Sequence, residues 1–317
     1  MTAPDLPTLT PRRLGQIRSR LLAWYDARVP DFPWRTARDP YAALVAAVCA
    51  QQTQMPRVLE TYARWMAAFP TLADCAGASR EDVLRTWGRA GYPRRAAYLH
   101  ETARRCMAEH GGALPRDREA LLALPGVGPF TAAIVRCFGF GDDAVAVDTN
   151  VVRVIGRIVF GDLQPARETS PAAIDAAAGR LLRPGTAVRW NPALMDYGAS
   201  VCGPRPRCDE CVVAALCAAR PRFAAGERAA RVRVQPGFAG SDRERRGRIL
   251  AVLRAHHGAG MSTRALWRAL ASPPADRARM RALLDTLVAD GLAWRRGQRC
   301  GLGEGPPGAA VSDGDVC

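Results

Sequence analysis

The sequence predicts an all-α fold over its first 220 residues, followed by a small unit of three helices and a basic hairpin. Three observations predict this. Apolar residues recur at helical spacing through nearly every periodic segment. The one short run able to be extended, Ala144–Val147, is too isolated to make a sheet. Past residue 241, three helical stretches lead into a short arginine-rich ending, LAWRRGQRCGL.

Residues 12–28 place Leu14, Ile17, Leu21, Leu22 and Tyr25 on one stripe, the 3.6-residue period of an amphipathic helix. Residues 41–54 read as an apolar helix, and 55–68, 80–88, 95–110 and 117–123 as further helices. The pattern continues over 129–138, 149–160, 171–182 and 191–199. A stretch rich in Pro, Gly and Arg, 221–241, reads as a linker. Beyond it, helices over 242–256, 262–271 and 275–290 and the final hairpin have the pattern of a winged helix. The Gly/Pro-rich tail 303–317 is expected to be disordered.

Composition narrows the class of partner. The chain has 317 residues, a formal charge of +15 and a pI of about 10.2. Arginine displaces condensed counterions, so this balance favours a polyanion such as nucleic acid. All 45 basic residues are Arg. A GC-rich codon bias explains Arg over Lys, but not the excess over acidic residues. With no Lys in the chain, a DNA lyase that works through a lysine Schiff base is excluded. No apolar run approaches the roughly 20 residues that span a membrane. The stretch MTAPDLPTLTPRR lacks the apolar core of a signal peptide, so a cytoplasmic, nucleoid-associated monomer is expected. Four of the ten Cys cluster tightly, which fits a metal centre in a reducing compartment better than disulfides.

Three motifs carry chemistry. Leu124-Pro125-Gly126-Val127-Gly128-Pro129 joins two helical segments, and its glycines permit a tight hairpin whose amides suit a phosphate oxygen. Such contact is largely independent of base sequence. The same residues also fit an ordinary helix–turn–helix with a glycine C-cap. Asp148, twenty residues beyond Gly128, precedes a helix. It reads first as an N-cap, and second as a carboxylate that stabilises positive charge on a sugar or orients a water. The third motif is Cys202-x5-Cys208-x2-Cys211-x5-Cys217. One central Cys-x2-Cys pair with longer flanking gaps resembles iron–sulfur ligation more than zinc ligation, which usually employs two such pairs. The other cysteines and the four histidines show no ligand spacing.

Taken together, LPGVG, the following Asp and the Cys quartet resemble the helix-hairpin-helix DNA glycosylases of the endonuclease III superfamily. The segments FPWR (32–35), DPY (39–41), QQTQ (51–54), GYPRRA (91–96), VDTNVVRV (147–154) and NPALMDYGA (191–199) resemble the A/G-specific adenine DNA glycosylase, or MutY, type within it. The likeness covers about residues 12–220. The winged-helix-like part is similar to what some actinobacterial members carry, and nothing resembles the MutT-like domain with which others read 8-oxoguanine.

The resemblance implies a role for each matching position. Gly126, Val127 and Gly128 would form the phosphate-binding hairpin, while Gln52 and Tyr92 would enter the duplex as the target base flips out. Asp148 would be catalytic, and Cys202, Cys208, Cys211 and Cys217 would hold a [4Fe–4S] cluster. Phe130 stands where bifunctional relatives have their lysine nucleophile and many monofunctional ones a tyrosine. Two further departures stand out. The glutamate that protonates the departing adenine is replaced by Ala47, and residues 43–59 contain no carboxylate before position 60. The first gap in the Cys quartet is five residues where six is usual.

The implied architecture is two helical modules with a DNA cleft between them. One spans 36–145; the other combines 12–35 with 146–220 and the cluster; the winged-helix-like unit spans 242–302. The implied function is base-excision repair of double-stranded DNA carrying a mispaired or damaged base. A monofunctional adenine glycosylase acting on A opposite G or 8-oxoguanine leads. A glycosylase for another base and a non-catalytic DNA-binding paralogue remain open because of Ala47.

Overall fold

In the computed structural model, the described residues are 9–28, 30, 32–229, 237–258, 260–271, 273 and 276–305. Among them the only strands lie beyond residue 260, as the helical periodicity requires. No described helix is long and apolar enough to cross a membrane. The chain gathers into two compact units: residues 1–47, 114–123 and 127–233 in one, and 48–113, 124–126 and 234–317 in the other.

The first unit is built on α1 (Pro11–Asp26), α9 (Thr149–Ile155), α11 (Pro171–Leu181) and α12 (Ala187–Ser200). The stripe predicted on α1 buries Leu14, Ile17 and Leu21 against Val151, Val154 and Ile155 of α9 and Trp190, Leu194 and Tyr197 of α12. Fully burying such side chains stabilises by about 1.5–3 kcal/mol each. Thr10 caps α1, its hydroxyl accepting from the Arg13 amide. Arg35 of the FPWR segment makes a bidentate pair with Asp196 of α12, both bonds at 3.0 Å. Two of the sequence segments are therefore one ion pair. α2 (Pro40–Ala50) is apolar on all sides and buried from Tyr41 to Cys49, as a helix with no polar face must be.

Two helices of this unit end in π-helical turns: α8 (Pro129–Ile134) runs on into Val135–Gly139, and α9 into Gly156–Phe160. Close approach accounts for the glycines there. A Cβ on Gly139 would lie 2.5 Å from Pro40 Cα, and one on Gly156 would lie 2.1 Å from Pro165 Cβ at the start of α10 (Pro165–Glu168).

The second unit holds α3 (Met55–Ala68), α4 (Leu72–Gly77), α5 (Arg80–Trp87) and α6 (Arg94–Glu109). It also holds the C-terminal helices α14 (Asp242–Ala255), α15 (Thr263–Ala269) and α16 (Arg277–Ala289). Strands β1 (Met261–Ser262), β2 (Ala293–Arg296) and β3 (Arg299–Leu302) form an antiparallel sheet in the order β1-β3-β2, a winged-helix topology. Trp294 packs over Gly301 and Gly305, and Arg85 of α5 donates to the carbonyls of Arg254 and His256 that α14 leaves unpaired.

Some expectations need correction. The expected linker begins instead with a helix, α13 (Arg220–Ala224), and residues 230–236 lie outside the described residues. Of the expected disordered tail, Gly303 to Gly305 fold back on the second unit, a Cβ on Gly303 falling 2.9 Å from the Glu81 amide. Residues 306–317 lie outside the described ones. The apolar helix expected over 41–54 stops at Ala50, because Gln52 takes φ +52°.

Candidate functional site

The glycine turn lies between α7 (Arg118–Leu122) and α8. Gly126 has φ +73°, and a Cβ there would lie 2.8 Å from Tyr98 Cβ and 3.0 Å from its ring, so two independent constraints demand glycine. Thr102 Oγ1 donates to Pro125 O at 2.9 Å and fixes the turn from α6. Val127 is buried, so it offers only backbone. Gly128 is the N-cap of α8, and the space a side chain would fill there is open. Nothing in the fold itself requires glycine at 128; a ligand drawn close to the backbone would.

Gln52 and Tyr92 are exposed, and both hold positive φ (+52° and +46°), which costs of order 1–3 kcal/mol for each residue. One buried side chain secures both. Arg95, only 6% exposed, donates to the carbonyls of Val48 (2.9 Å), Cys49 (3.1 Å) and Gln51 (2.7 Å) on one side. On the other it reaches those of Ala90 (3.3 Å) and Gly91 (3.1 Å), while its plane lies against the Trp87 and Tyr92 rings. A planar fork of five donors suits this set of acceptors, and an ammonium does not. The sequence showed Arg95 only as a letter in GYPRRA.

Asp148 is the N-cap of α9. Its Oδ1 accepts from the amides of Asn150 (2.9 Å) and Val151 (2.8 Å), and its Oδ2 from Asn150 Nδ2 (2.7 Å). Burial pushes its carboxyl above the usual range, and these donors pull the other way without cancelling the shift. Asn191 of α12, fully buried, sets the approach to this cap. It accepts from the Ala146 amide at 3.1 Å and donates to Ala144 O at 2.8 Å, so a side-chain amide stands in for the neighbour strand that Ala144–Val147 lacks. Arg153 donates to Asn150 Oδ1 at 2.5 Å, Gly198 O at 3.0 Å and Cys202 O at 3.4 Å. The carboxylate is thereby joined to the first residue of the cysteine loop through two side chains.

Ala47 is 4% exposed and belongs to a cluster with Ala43, Ile134, Cys137, Phe138, Ala144, Ala146 and Ala187. Phe130 packs on the same cluster. The two positions that depart from the adenine-glycosylase pattern are thus neighbours in one apolar patch.

The four cysteines Cys202, Cys208, Cys211 and Cys217 line one cavity, and none is in a disulfide. Among the described residues no three His, Cys, Asp or Glu side chains gather closely enough to grasp a single metal ion. Arg157, 2% exposed, reaches Cys202 Sγ at 3.5 Å. Its other bonds run to the carbonyls of Leu163, Cys202, Gly203 and Pro204, so no carboxylate neutralises it among the described residues. Tyr197 donates to Cys211 Sγ at 3.1 Å and accepts from the Val212 amide at 3.0 Å. Burial pushes the Cys202 and Cys208 thiols up, and that of Cys217 to about 11, so thiolate ligation here must displace protons. Arg157 stands at no motif position, and the sequence showed Tyr197 only as a letter in NPALMDYGA.

Residues 45–176 match the family described as HhH-GPD superfamily base excision DNA repair protein. The chain is 40% identical over 210 residues to the adenine DNA glycosylase of Mycobacterium tuberculosis, covering 66% of this chain and 68% of that one. The chain belongs to the HhH-GPD superfamily of base-excision DNA repair proteins. Within that superfamily it is also 35% identical over 196 residues to a thymine/uracil-DNA glycosylase of Methanothermobacter thermautotrophicus, covering 61% of this chain and 88% of that protein. The solved structure of a thermostable thymine-DNA glycosylase superposes with a TM-score of 0.62 at 32% identity, over 67% of this chain and 98% of that one.

Arg95→Ala removes the donor shared by five carbonyls and should destabilise the protein by more than about 3 kcal/mol, since each buried acceptor left unpaired costs about 1–3 kcal/mol. Arg95→Lys should recover only part of that loss. Urea midpoints near wild type for both variants would show that Arg95 does not secure the two loops.

Proposed function

We propose that the chain is a monofunctional adenine DNA glycosylase, hydrolysing the N-glycosidic bond of A mispaired with G or 8-oxoguanine in duplex DNA. The observation that carries the proposal is the Asp148 carboxylate, clamped by three donors yet left able to accept further contacts. As the bond from C1′ to the purine breaks, its electron pair leaves with the base and positive charge collects on the sugar. A fixed carboxylate stabilises that charge, and water then adds at C1′ with loss of a proton. The leaving base takes up one proton, and Ala47 and Phe130 supply none. On this reading the proton comes from a group outside that apolar patch or from water. Gln52 and Tyr92 would enter the duplex, and the amides of Gly126, Val127 and Gly128 would grip a phosphate.

The cysteine loop supports a [4Fe–4S] cluster. Two sulfurs on one tetrahedral zinc stand about 3.8 Å apart, from Zn–S bonds of about 2.3 Å; four thiols ringing a cavity suit a larger polynuclear centre. Buried Arg157, with no carboxylate of its own, provides the positive charge that four thiolates and their iron would face. Bound there, the cluster would cross-link the loop from Cys202 to Cys217, and Arg153 would carry that rigidity toward Asn150.

A second reading, removal of thymine or uracil, rests on the apolar patch around Ala47, since a pyrimidine departs without the proton an adenine needs. Single-turnover excision from duplexes bearing A:8-oxoguanine, A:G, T:G or U:G separates the two. Release of adenine supports the first, release of a pyrimidine alone the second, and binding with no release refutes both. Ala47→Glu places a carboxyl among apolar neighbours, where burial keeps it protonated near neutral pH. Adenine release should then rise by about 10²–10⁴, and an unchanged rate would mean that the patch does not adjoin the flipped adenine.

The purified protein should be brown, absorb broadly near about 400 nm and hold about four irons per chain. Colourless protein containing one zinc would contradict the cluster.

A further inference from the structure

The C-terminal winged helix carries charge that its own fold does not use. Between residues 237 and 305 there are thirteen arginines and six acidic residues. Nearly all of those acids are engaged. Asp242 pairs with Arg245 and Arg279, Asp285 with Arg295, Asp290 with Arg246 and Arg94, and Glu304 with Arg80. Glu244 accepts from the Gly240 amide. The wing, where the arginine run RRGQR first draws the eye, is tied down too: Arg295 is held by Asp285, and Arg299 donates to Gly260 O at 3.1 Å.

Among the described residues, four exposed arginines of this unit have neither a carboxylate nor a carbonyl partner, and they fall in a pattern. Arg264 and Arg268 lie four apart on α15, and Arg277 and Arg281 four apart on α16. Spacing of i,i+4 puts each pair on one helical face with about 5–6 Å between Cβ atoms. On α16 that face flanks the buried one, which carries Met280, Leu283, Leu284 and Leu287. Like charges so placed repel and weaken a helix by a few tenths of a kcal/mol per pair, and the one acid spaced to compensate, Asp285 four residues beyond Arg281, is held by Arg295 at 2.9 Å.

The rest of the unit is anchored at its other end. Arg85 caps the C-terminus of α14, Arg94 meets Asp290 just past the end of α16 at 3.7 Å, and Arg80 meets Glu304 after β3 at 3.3 Å. These contacts to α5 and α6 involve none of the four free arginines. The unit is thus fixed by the ends of its elements, and its paired-arginine helices stay exposed.

We propose that the arginines of α15 and α16 form a second contact for the phosphate backbone of duplex DNA, additional to the glycine turn. The inference rests on the reading that this chain acts on duplex DNA. Arginine meets phosphate with paired N–H donors, and two helices in a helix–turn–helix arrangement present their cations along a strand. Because phosphates are the target, the contact adds affinity without base preference.

The test is binding of the full-length protein to an undamaged 30-base-pair duplex across a NaCl titration, a readout independent of base removal. Each phosphate contact contributes about 0.9 to the slope of log K against log [salt]. Arg277→Gln with Arg281→Gln should therefore lower the slope by about 1.8, as should Arg264→Gln with Arg268→Gln. All four side chains are exposed, so the thermal midpoint should hold and report an intact fold. A slope unchanged in both double variants would overturn the proposal and leave an acidic protein as the partner for this face. A wild-type protein that binds the duplex with no salt dependence at all would remove the DNA reading itself, and is told apart from the first result by the wild-type curve alone.

Discussion

The geometry of the first unit depends on one short run of chain, from Ala144 to Asp148, that belongs to neither helix nor sheet. Buried backbone must be hydrogen-bonded, and here Asn191 supplies what a neighbouring strand would. The chain then turns into α9 through the cap made by Asp148 itself. A single carboxylate thus starts a helix and occupies the position at which this family's chemistry is expected. The two roles are compatible. The donors that satisfy a cap also hold its oxygens in place, and partial burial strengthens the carboxylate's attraction for a nearby positive charge.

Arginine does unusual duty throughout. In a chain without lysine every internal cation is a guanidinium, and several rest on carbonyl groups rather than on carboxylates. Arg95 collects five such carbonyls between the Gln52 and Tyr92 loops, Arg157 four around the cysteine loop, and Arg13 those of Ile158 and Leu216. A flat group with five donors can staple irregular backbone that no regular element satisfies. The loops at Gln52 and Tyr92 and the cysteine loop are such irregular backbone, and those are the places where Arg95 and Arg157 sit.

This explains what could be read in the sequence and what could not. α1, α3, α5 and α6 were legible because each carries an apolar stripe of several turns. α4 was not, since its six residues, LADCAG, are too short to show a period, and its capping box of Thr71 with Asp74 is the one local signal. The extended run at Ala144–Val147 was visible, but its partner is an amide 45 residues away. The glycine turn, the cysteine quartet and Asp148 were legible as motifs. Arg95, Arg153 and Arg157 were not, because nothing in the spacing of 45 arginines separates a buried staple from a solvated side chain. The same ambiguity hides which arginines of the winged helix stand unpaired among the described residues, namely Arg264, Arg268, Arg277 and Arg281.

The claim at the centre is that the Asp148 carboxylate does chemistry beyond capping α9. Asparagine caps a helix about as well as aspartate, but it carries no charge with which to stabilise a sugar cation. Asp148→Asn compared with wild type in single-turnover base release, with the thermal midpoint followed alongside, separates the two roles. The expected outcome is a midpoint close to wild type and a rate reduced by at least about 10², equivalent to roughly 2.7 kcal/mol of lost transition-state stabilisation. Base release at the wild-type rate from the folded variant would contradict it.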